Sequence, residues 1–225
     1  MEAVVTGANR GLGLALARRL AEEGALVHAT ARVPEDAAEL RALARTHEVR
    51  LHQLDVTDDL ECDALRDVLT ERRIDLLVNN AGIDSGFIPF EESDFDEAMH
   101  IYDVDAVGPL RVTCALREPL IRAHGVVLNV SSRLASIARN EGLSVPYRMA
   151  KAALNMMTRT LAVELRARRV AVVAVSPGWV RTDMGGPEAP LSVDESTRKL
   201  AALAPRLSME HTGRFLDLDG RDIPW

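Results

Sequence analysis

The feature that most constrains the fold of this chain is a regular alternation of short apolar runs with longer amphipathic stretches. The apolar runs consist mainly of β-branched residues and leucine, as is typical of strands buried on both faces of a parallel sheet. They cover residues 3–6, 26–30, 49–54, 76–79, 126–130 and 170–175. Six such alternations without a change of composition predict a doubly wound α/β fold in a single domain over residues 1–225.

Helices are predicted between the strands, because the intervening stretches repeat apolar residues at helical spacing. The first begins near Leu12 and ends before Gly24. The others cover residues 34–46, 58–72, 103–123 and 146–168. We expect Gly108-Pro109 to bend the fourth helix or to break one of its early turns.

The loosest segment is 185–190, which reads Gly-Gly-Pro-Glu-Ala-Pro and precedes a short predicted helix over residues 193–203. Long connections near the ends of strands often serve as lids over a site. Residues 184–204 are therefore predicted to form a small substrate lid, with a plain solvent-exposed loop as the alternative.

Composition and charge argue against several classes of partner. The chain has 27 Lys and Arg residues against 34 Asp and Glu residues and no polybasic run, which is unfavourable for binding nucleic acid or an anionic membrane. No apolar run approaches the roughly 20 residues of a membrane helix. Cys62 and Cys114 form no CxxC pair and nothing resembles a signal peptide, so we expect a reduced, cytoplasmic protein. The six histidines have no metal-ligand spacing, and no metal is predicted.

A glycine-rich loop joins the first strand to the first helix. It reads Thr6-Gly7-Ala8-Asn9-Arg10-Gly11-Leu12-Gly13. Glycines there allow a tight turn and a close approach of the backbone to a pyrophosphate, which the N-terminus of the helix then attracts. The spacing GxxxGxG differs from the GxGxxG fingerprint, and a plain turn with glycines is the alternative.

Three further motifs follow the glycine loop, each at the end of a predicted strand or the start of a helix. They are Asn79-Asn80-Ala81-Gly82, Tyr147-x-x-x-Lys151 and Pro177-Gly178. In this order the four segments resemble the classical short-chain dehydrogenase/reductase family over essentially the whole chain, and above all its short carbonyl-reductase and C-factor-like members. The resemblance implies a Rossmann-type, seven-stranded parallel sheet in the order 3-2-1-4-5-6-7, with the final strand within residues 213–220.

The resemblance also implies a set of residues that bind a nicotinamide cofactor. These are Gly7, Asn9, Arg10, Gly11, Leu12, Gly13, Arg32, Asp55, Val56, Asn80, Ala81, Gly82, Tyr147, Lys151, Pro177, Gly178, Val180 and Thr182. Asp55 and Val56 match the pair that faces the adenine. For Asp55 the alternative is a structural role beside Thr57, which could cap the next helix.

NADP(H) is the predicted cofactor, with NAD(H) as the alternative. The second strand ends Ala31-Arg32, without the acidic residue that typically holds a free ribose hydroxyl. A guanidinium can hold a 2′-phosphate through two hydrogen bonds, and Arg32 and Arg10 are the candidates. The alternative for both is a solvated surface arginine.

Tyr147 and Lys151 are four residues apart and therefore share one helical face. A nearby ammonium lowers the pKa of a tyrosine, which then donates a proton to a carbonyl oxygen or takes it back. By resemblance, Ser132 orients the substrate oxygen, and Ser131 remains the second choice. The family places an asparagine where this chain has Asp105, which implies either a proton relay with altered pH dependence or a slowed enzyme.

The resulting prediction is an NADP(H)-dependent oxidoreductase that reduces a carbonyl compound or oxidises a secondary alcohol, both small molecules. A non-catalytic NADP(H)-binding sensor or signalling protein of the C-factor type is the alternative, and an epimerase or dehydratase a further one. Substrate is expected to enter near residues 85–90, 139–145 and 184–203, where Phe87, Ile88 and Trp179 supply apolar walls. A monomer and a homo-oligomer, dimer or tetramer, both remain open.

Overall fold

Seven parallel strands form the central sheet of the protein, whose computed structural model describes residues 1–225. They are β1 (Glu2–Val5), β2 (Leu26–Ala31), β3 (Val49–Gln53), β4 (Leu76–Asn79), β5 (Val126–Val130), β6 (Ala171–Val175) and β7 (Phe215–Leu216). Their order is β3-β2-β1-β4-β5-β6-β7, and every neighbouring pair is parallel. The predicted sheet and its order are confirmed.

Helices cover both faces of the sheet. They are α1 (Gly11–Glu22), α2 (Ala38–Thr46), α3 (Asp59–Leu69), α4 (Phe95–Tyr102), α5 (Gly108–Ala115), α6 (Arg117–Ala123), α7 (Val145–Glu164) and α8 (Val193–Leu203). Leucines of α1, α2 and α8 pack on one face of the sheet, and apolar residues of α3, α5, α6 and α7 pack on the other. Val4 and Val5 belong to opposite cores, as expected for a strand buried on both faces.

The strand order reverses between β1 and β4, because β2 and β3 lie on one side of β1 and β4 lies on the other. In sheets of this kind the crevice at the reversal, beyond the carboxyl ends of the strands, is the usual binding site. Here Thr6 connects the ends of β1 and β4. Its N–H donates to the carbonyl oxygen of Val78, and its hydroxyl accepts from the N–H groups of Asn80 and Ala81, each at 3.0 Å.

The helical region around residues 103–123 differs from the prediction. It starts earlier, at Phe95, and passes through a π-helical turn, Asp103–Val107, before α5 begins at Gly108. The predicted bend or break at Gly108-Pro109 coincides with the point where the π-helical turn ends and α5 begins, and Pro109 lies in the first turn of α5, where the missing N–H is tolerated. The chain also leaves helical geometry at Leu116, between α5 and α6.

The predicted helix over residues 193–203 is present as α8, and its N-terminus carries a capping box formed by Ser192 and Glu195. Arg19 of α1 donates to Thr197 and pairs with Asp194, so α8 is fastened to α1. The predicted lid therefore contains a helix held against the sheet and a preceding stretch without helix, residues 184–191. None of the eight helices combines the length and apolar character needed to cross a membrane.

Candidate active site

The carboxyl ends of β1, β4, β5 and β6 bring the predicted motifs to one edge of the sheet. The glycine loop follows β1, the Asn80 motif follows β4, both candidate serines follow β5, and Pro177-Gly178 follows β6. Tyr147 and Lys151 reach the same edge from the first half of α7. Segments that are far apart in the chain thus meet in one cleft.

Close packing explains the glycines of the loop. Gly7 has a φ of +62°, and a Cβ there would lie 2.9 Å from the Cα of Ala81. A Cβ on Gly13 would lie 2.3 Å from the carbonyl oxygen of Gly7. Gly11 has a φ of +55° and faces Thr182 across the cleft. Any side chain at Gly7 or Gly13 would force the loop away from the β4 segment.

The N-terminus of α1 is open toward this loop. No side chain caps it, and no acidic residue lies in its first turn. Its free N–H groups and positive dipole end are suited to an anionic pyrophosphate. The chain therefore fits a dinucleotide at this edge of the sheet.

Asn80 braces two loops. Its Nδ2 donates to the carbonyl oxygens of Thr6 at 2.9 Å and Gly7 at 3.2 Å. The side chain of Asn80 is therefore engaged within the protein. Thr6 accepts three hydrogen bonds from this motif, one from the Asn80 side chain and one each from the N–H groups of Asn80 and Ala81. The sequence did not predict this role, because a threonine after a strand carries no distinctive signal.

The two candidate arginines are placed differently. Arg10 lies 2.5 Å from Asp183 in an exposed ion pair that links the glycine loop to the start of the lid segment. Arg32 is exposed and close enough to Asp55 to affect its pKa. Arg32 therefore lies near Asp55 at the predicted adenine site, whereas Arg10 forms an ion pair with Asp183.

Asp55 is held by Thr57. The carboxylate accepts from the Thr57 N–H at 2.9 Å and from its hydroxyl at 2.7 Å. Burial opposes the charge of Asp55, but these hydrogen bonds and the charge of Arg32 hold its pKa below the ordinary value. The residue that caps α3 is Asp58, so the expectation that Thr57 could cap that helix is wrong.

Lys151 lies at the centre of the candidate catalytic group. Its Nζ is 5.7 Å from the centre of the Tyr147 ring, donates to the carbonyl oxygen of Val130 at 3.0 Å, and lies 3.1 Å from Oδ2 of Asp105. Asp105 is fully buried in the π-helical turn, and its Oδ1 accepts from the N–H of Ile83 at 2.8 Å. π-Helical turns often occur at functional sites, and this one brings an aspartate to the lysine.

The two serines have separate environments. The hydroxyl of Ser131 is buried and donates to Oδ1 of Asn155 on α7 at 2.7 Å. Ser132 is partly exposed, accepts from the N–H of Leu134 at 3.2 Å, and interacts with Tyr147. Of the two, Ser132 is therefore the serine beside the tyrosine.

The acid–base properties of the group follow from burial. Burial raises the pKa of Tyr147, and Asp105 and Asp84 add to the rise, against the opposing effects of Lys151 and Ser132. The expectation that Lys151 brings this pKa below the ordinary value is thus wrong, although the lysine acts in the predicted direction. Burial opposes the charge of Lys151 itself, but Asp105 holds the lysine pKa above its usual range. The pKa of Asp105 is raised by its burial, despite the lysine.

Asp84 and Ser144 were missed by the sequence analysis. Asp84 lies two residues after Gly82, within electrostatic range of Tyr147 and Lys151. Ser144 precedes α7 and contacts the segment that contains Asp84. The available signal for Asp84 was an acidic residue two positions after the Asn80 motif, whereas nothing in the sequence marks Ser144.

Comparison with known proteins agrees with this site. A family model described as short chain dehydrogenase matches residues 2–190. The chain belongs to the short-chain dehydrogenase family. As a short-chain dehydrogenase it is an oxidoreductase that uses a nicotinamide cofactor and a small-molecule substrate.

Similar proteins place this short-chain dehydrogenase near the carbonyl reductases and the C-factor-like members. It is 40% identical over 157 residues to the C-signal of Myxococcus xanthus, covering 68% of this chain and 93% of that protein. The structure of the carbonyl reductase Sniffer of D. melanogaster superposes with a TM-score of 0.95 at 31% identity, covering 100% and 99% of the two chains. An NADPH-bound carbonyl reductase from chicken fatty liver gives a TM-score of 0.94 at 32% identity, covering 100% and 98%.

Proposed function

We propose that this short-chain dehydrogenase is an NADP(H)-dependent oxidoreductase that reduces a carbonyl compound or oxidises a secondary alcohol, with Tyr147 as the acid and base. One observation carries the proposal: a buried tyrosine and lysine lie together, beside Ser132, at the sheet edge that holds the glycine loop. In that position a proton donor, a cation and a hydroxyl can act on one oxygen atom.

The glycine loop, the start of α1 and the backbone at Ala81 and Gly82 would hold the dinucleotide, with Val180 and Thr182 at its nicotinamide end. The bound cofactor supplies or accepts the hydride. The residues of the chain then bind, orient and exchange the proton.

Tyr147 is the proton donor in the reductive direction. Its raised pKa keeps the phenol protonated at neutral pH, which is the form that reduction needs. The hydroxyl of Ser132 orients the substrate oxygen toward that phenol. Lys151, kept charged by Asp105, stabilises the phenolate that remains after proton transfer.

The proposed preference for NADP(H) rests on the guanidinium groups of Arg32 and Arg10. It also rests on the end of β2, where positions 31 and 32 hold no acidic residue that could bind a free ribose hydroxyl. Arg32 is the stronger candidate, because Arg10 must first leave Asp183. Titration with NADPH and with NADH, followed by tryptophan fluorescence, tests the preference, with Trp179 at the edge of the cleft as reporter. Arg32→Ala should weaken NADPH binding about tenfold or more and leave NADH binding unchanged, since a charge-assisted contact contributes about 1.5–3 kcal/mol.

A panel of aldehydes and ketones, followed by NADPH absorbance, tests the activity. Tyr147→Phe should lower kcat/KM by about 10²–10⁴-fold, the usual contribution of a positioned general acid, while NADPH still binds. Tyr102→Phe is the matched control, because Tyr102 is the only other tyrosine and lies on α4. Equal activity of Tyr147→Phe and the unmodified protein would refute the catalytic role.

A non-catalytic, cofactor-binding signalling role is the second candidate. The identity with C-signal supports it, as does the engagement of Lys151 by Asp105. Tight NADPH binding without consumption of NADPH by any carbonyl or alcohol would favour this role. Turnover without net cofactor consumption would indicate an epimerase or dehydratase instead.

Residues 184–204 are proposed as the substrate lid, with the part before α8 as its movable portion. Trp179 donates to the carbonyl oxygen of Gly185 at 2.7 Å, so the indole is linked to this segment. Together with Phe87 and Ile88 it would give the substrate an apolar environment.

A further inference from the structure

One carboxyl group near the candidate catalytic group forms no ion pair. Asp84 is partly buried, and none of the ion pairs of the protein includes it. Gly82, two residues before it, packs against the Lys151–Asp105 pair, since a Cβ on Gly82 would lie 3.5 Å from Nζ of Lys151 and 3.3 Å from Oδ2 of Asp105. The charge of Asp84 acts on Tyr147, Lys151 and Asp105. The single lysine of this group is already paired with Asp105, so two carboxylates accompany one cation where the substrate is expected.

The segment that carries Asp84 is fixed at both ends. Before it, the N–H of Ile83 donates to Asp105 at 2.8 Å. After it, the hydroxyl of Ser144 donates to the carbonyl oxygen of Gly86 at 2.8 Å, and the Ser144 N–H donates to Ile88 at 3.0 Å. Asp84 is thus held between the Asp105–Lys151 pair and the start of the helix that carries Tyr147.

The loop that holds the Asp84 segment, residues 142–144, has unusual backbone geometry. Gly142, Leu143 and Ser144 have φ values of +83°, +60° and +50°. Two of the three are not glycines, and such conformations persist only where surrounding contacts maintain them, often at ligand sites. Ser144 is buried, and its two bonds to the Asp84 segment are contacts of that kind.

No basic side chain forms an ion pair with Asp84, and burial raises the pKa of its carboxyl although its hydrogen bonds and the charge of Lys151 oppose the rise. The nearby Arg148 is occupied by the carbonyl oxygens of Leu143 and Leu134. Residues 84–99 contain six acidic residues and no lysine or arginine. A half-buried carboxylate without a counter-charge costs free energy that a cation would recover.

We propose that Asp84 is a specificity-determining residue that binds a protonated amine of the substrate, so that the preferred substrates are amino ketones and the corresponding amino alcohols. The proposal rests on the proposed carbonyl chemistry at Tyr147. The exposed ring of Phe87, three residues further along the same segment, offers such a substrate an apolar and aromatic contact.

Asp84 also has a local structural role, and the test must separate the two. Its Oδ1 accepts from the N–H of Gly86 at 3.0 Å, as in an Asx turn. Asp84→Asn keeps that acceptor and removes only the charge. Asp84→Glu keeps the charge. Glu92→Gln, an exposed position beyond the same segment, is the control for the change of net charge.

The experiment compares an aminomethyl-substituted acetophenone with its uncharged ethyl-substituted isostere. The unmodified protein and Glu92→Gln should prefer the amino ketone in kcat/KM by about 10- to 100-fold, as expected for a charged hydrogen bond. Asp84→Asn should abolish this ratio, and Asp84→Glu should retain most of it. A ratio near one in the unmodified protein, or an unchanged ratio in Asp84→Asn, would overturn the proposal.

A binding measurement keeps the outcome independent of turnover. Benzylamine and benzyl alcohol are titrated into the NADPH complex by tryptophan fluorescence. Selective binding of benzylamine that Asp84→Asn abolishes would support the role of Asp84 even if neither ketone is reduced, in which case only the proposed activity fails. Equal binding of the two probes to the unmodified protein would refute the role of Asp84. Equal benzylamine affinity in the unmodified protein and Asp84→Asn would refute it as well.

Discussion

Asp105 puts a carboxyl group at the centre of the candidate site, where the family resemblance implies an amide. Its ion pair with Lys151 is almost completely shielded from water, and removing one partner of such a pair leaves the other uncompensated. Asp105 raises the pKa of Lys151, and both residues affect the pKa of Tyr147. This arrangement couples the three groups, so a change at one of them alters the protonation of the others.

Asp105→Asn should shift the pH dependence of carbonyl reduction. Asp105 raises the pKa of Tyr147, so its replacement lowers that pKa, and the protonated tyrosine that reduction needs is lost at a lower pH. The basic limb of the kcat/KM profile should move toward acid. Asp103→Asn, which removes an acid paired with Arg111 outside the group, should leave the limb in place. An unchanged profile in Asp105→Asn would contradict both the relay and the slowed-enzyme interpretations.

Removing the hydroxyl of Ser131 should mainly reduce stability, whereas removing the hydroxyl of Ser132 should mainly reduce activity. Ser131→Ala leaves the buried Asn155 without a donor and should cost about 1–2 kcal/mol of unfolding free energy while activity persists. Ser132→Ala should cost about 1 kcal/mol or less, because Ser132 is partly exposed, but should reduce kcat/KM by about tenfold or more, because it removes the hydroxyl beside Tyr147. Urea unfolding and NADPH oxidation measure the two effects. The reverse pattern would make Ser131 the catalytic serine.

At the scale of an element, adjacent strands carry a row of polar side chains inside the fold. His28 of β2 is fully buried, with Nδ1 2.8 Å from Nε2 of His52 on β3 and Nε2 2.8 Å from the Glu2 carboxylate on β1. Burial lowers the pKa of His28 despite Glu2, and burial together with His28 lowers the pKa of His52 to about 4. Neither histidine was predicted to pair with the other, because spacing within a strand does not reveal contacts between strands.

This row should make stability depend on pH. An unfolded histidine gains its proton near pH 6.5 and the folded His52 only near 4, so folding is disfavoured progressively as the pH falls between these values. From pH 7.5 to pH 5 the loss attributable to His52 should reach about 1–2 kcal/mol. Urea unfolding of the unmodified protein and of His52→Gln at the two pH values measures it. A loss of equal size in His52→Gln would show that this residue does not contribute.

At the scale of the whole molecule, the C-terminal residues contact the segment that follows Ser132. The Trp225 ring lies 5.5 Å from that of Phe215 and 5.4 Å from the guanidinium of Arg159. The carbonyl oxygen of Trp225 accepts from the N–H of Ala138 at 3.0 Å, and that of Pro224 accepts from the Ser136 hydroxyl at 2.6 Å. These contacts connect the last strand, α7 and the segment after the candidate catalytic serine.

Trp225→Ala should therefore affect both stability and chemistry. Loss of the aromatic contacts should cost about 1–3 kcal/mol, less than for a fully buried tryptophan because Trp225 is partly exposed. The loosened segment should lower kcat/KM for a carbonyl, while the affinity for NADPH stays the same, because the glycine loop is at a distant strand. Chemical denaturation, NADPH titration and turnover measure the three properties. A parallel loss of NADPH affinity would indicate general unfolding instead.

The sequence predicted features that depend on local pattern and missed those that depend on contacts between distant segments. The strands and the doubly wound fold follow from the apolar runs, whereas the strand order and the convergence of Gly7, Asn80 and Tyr147 follow from the family resemblance that the motifs carry. The π-helical turn around Asp105, the pairing of Arg10 with Asp183 and the clamp on Asp84 each require knowledge of which loops meet. The direction of the Tyr147 pKa was missed for the same reason, because the extent of burial is a property of the assembled molecule.

The strand order has a consequence for how the protein is made. Each newly synthesised strand can pair with an edge strand of the sheet that has already formed. β2 and β3 extend the sheet on one side of β1, and β4 to β7 extend it on the other. No late strand has to be inserted between two earlier ones. A nascent chain emerging from the ribosome can thus assemble the dinucleotide half from its first 79 residues and add the half that carries Tyr147 afterwards, without opening a sheet that has already formed.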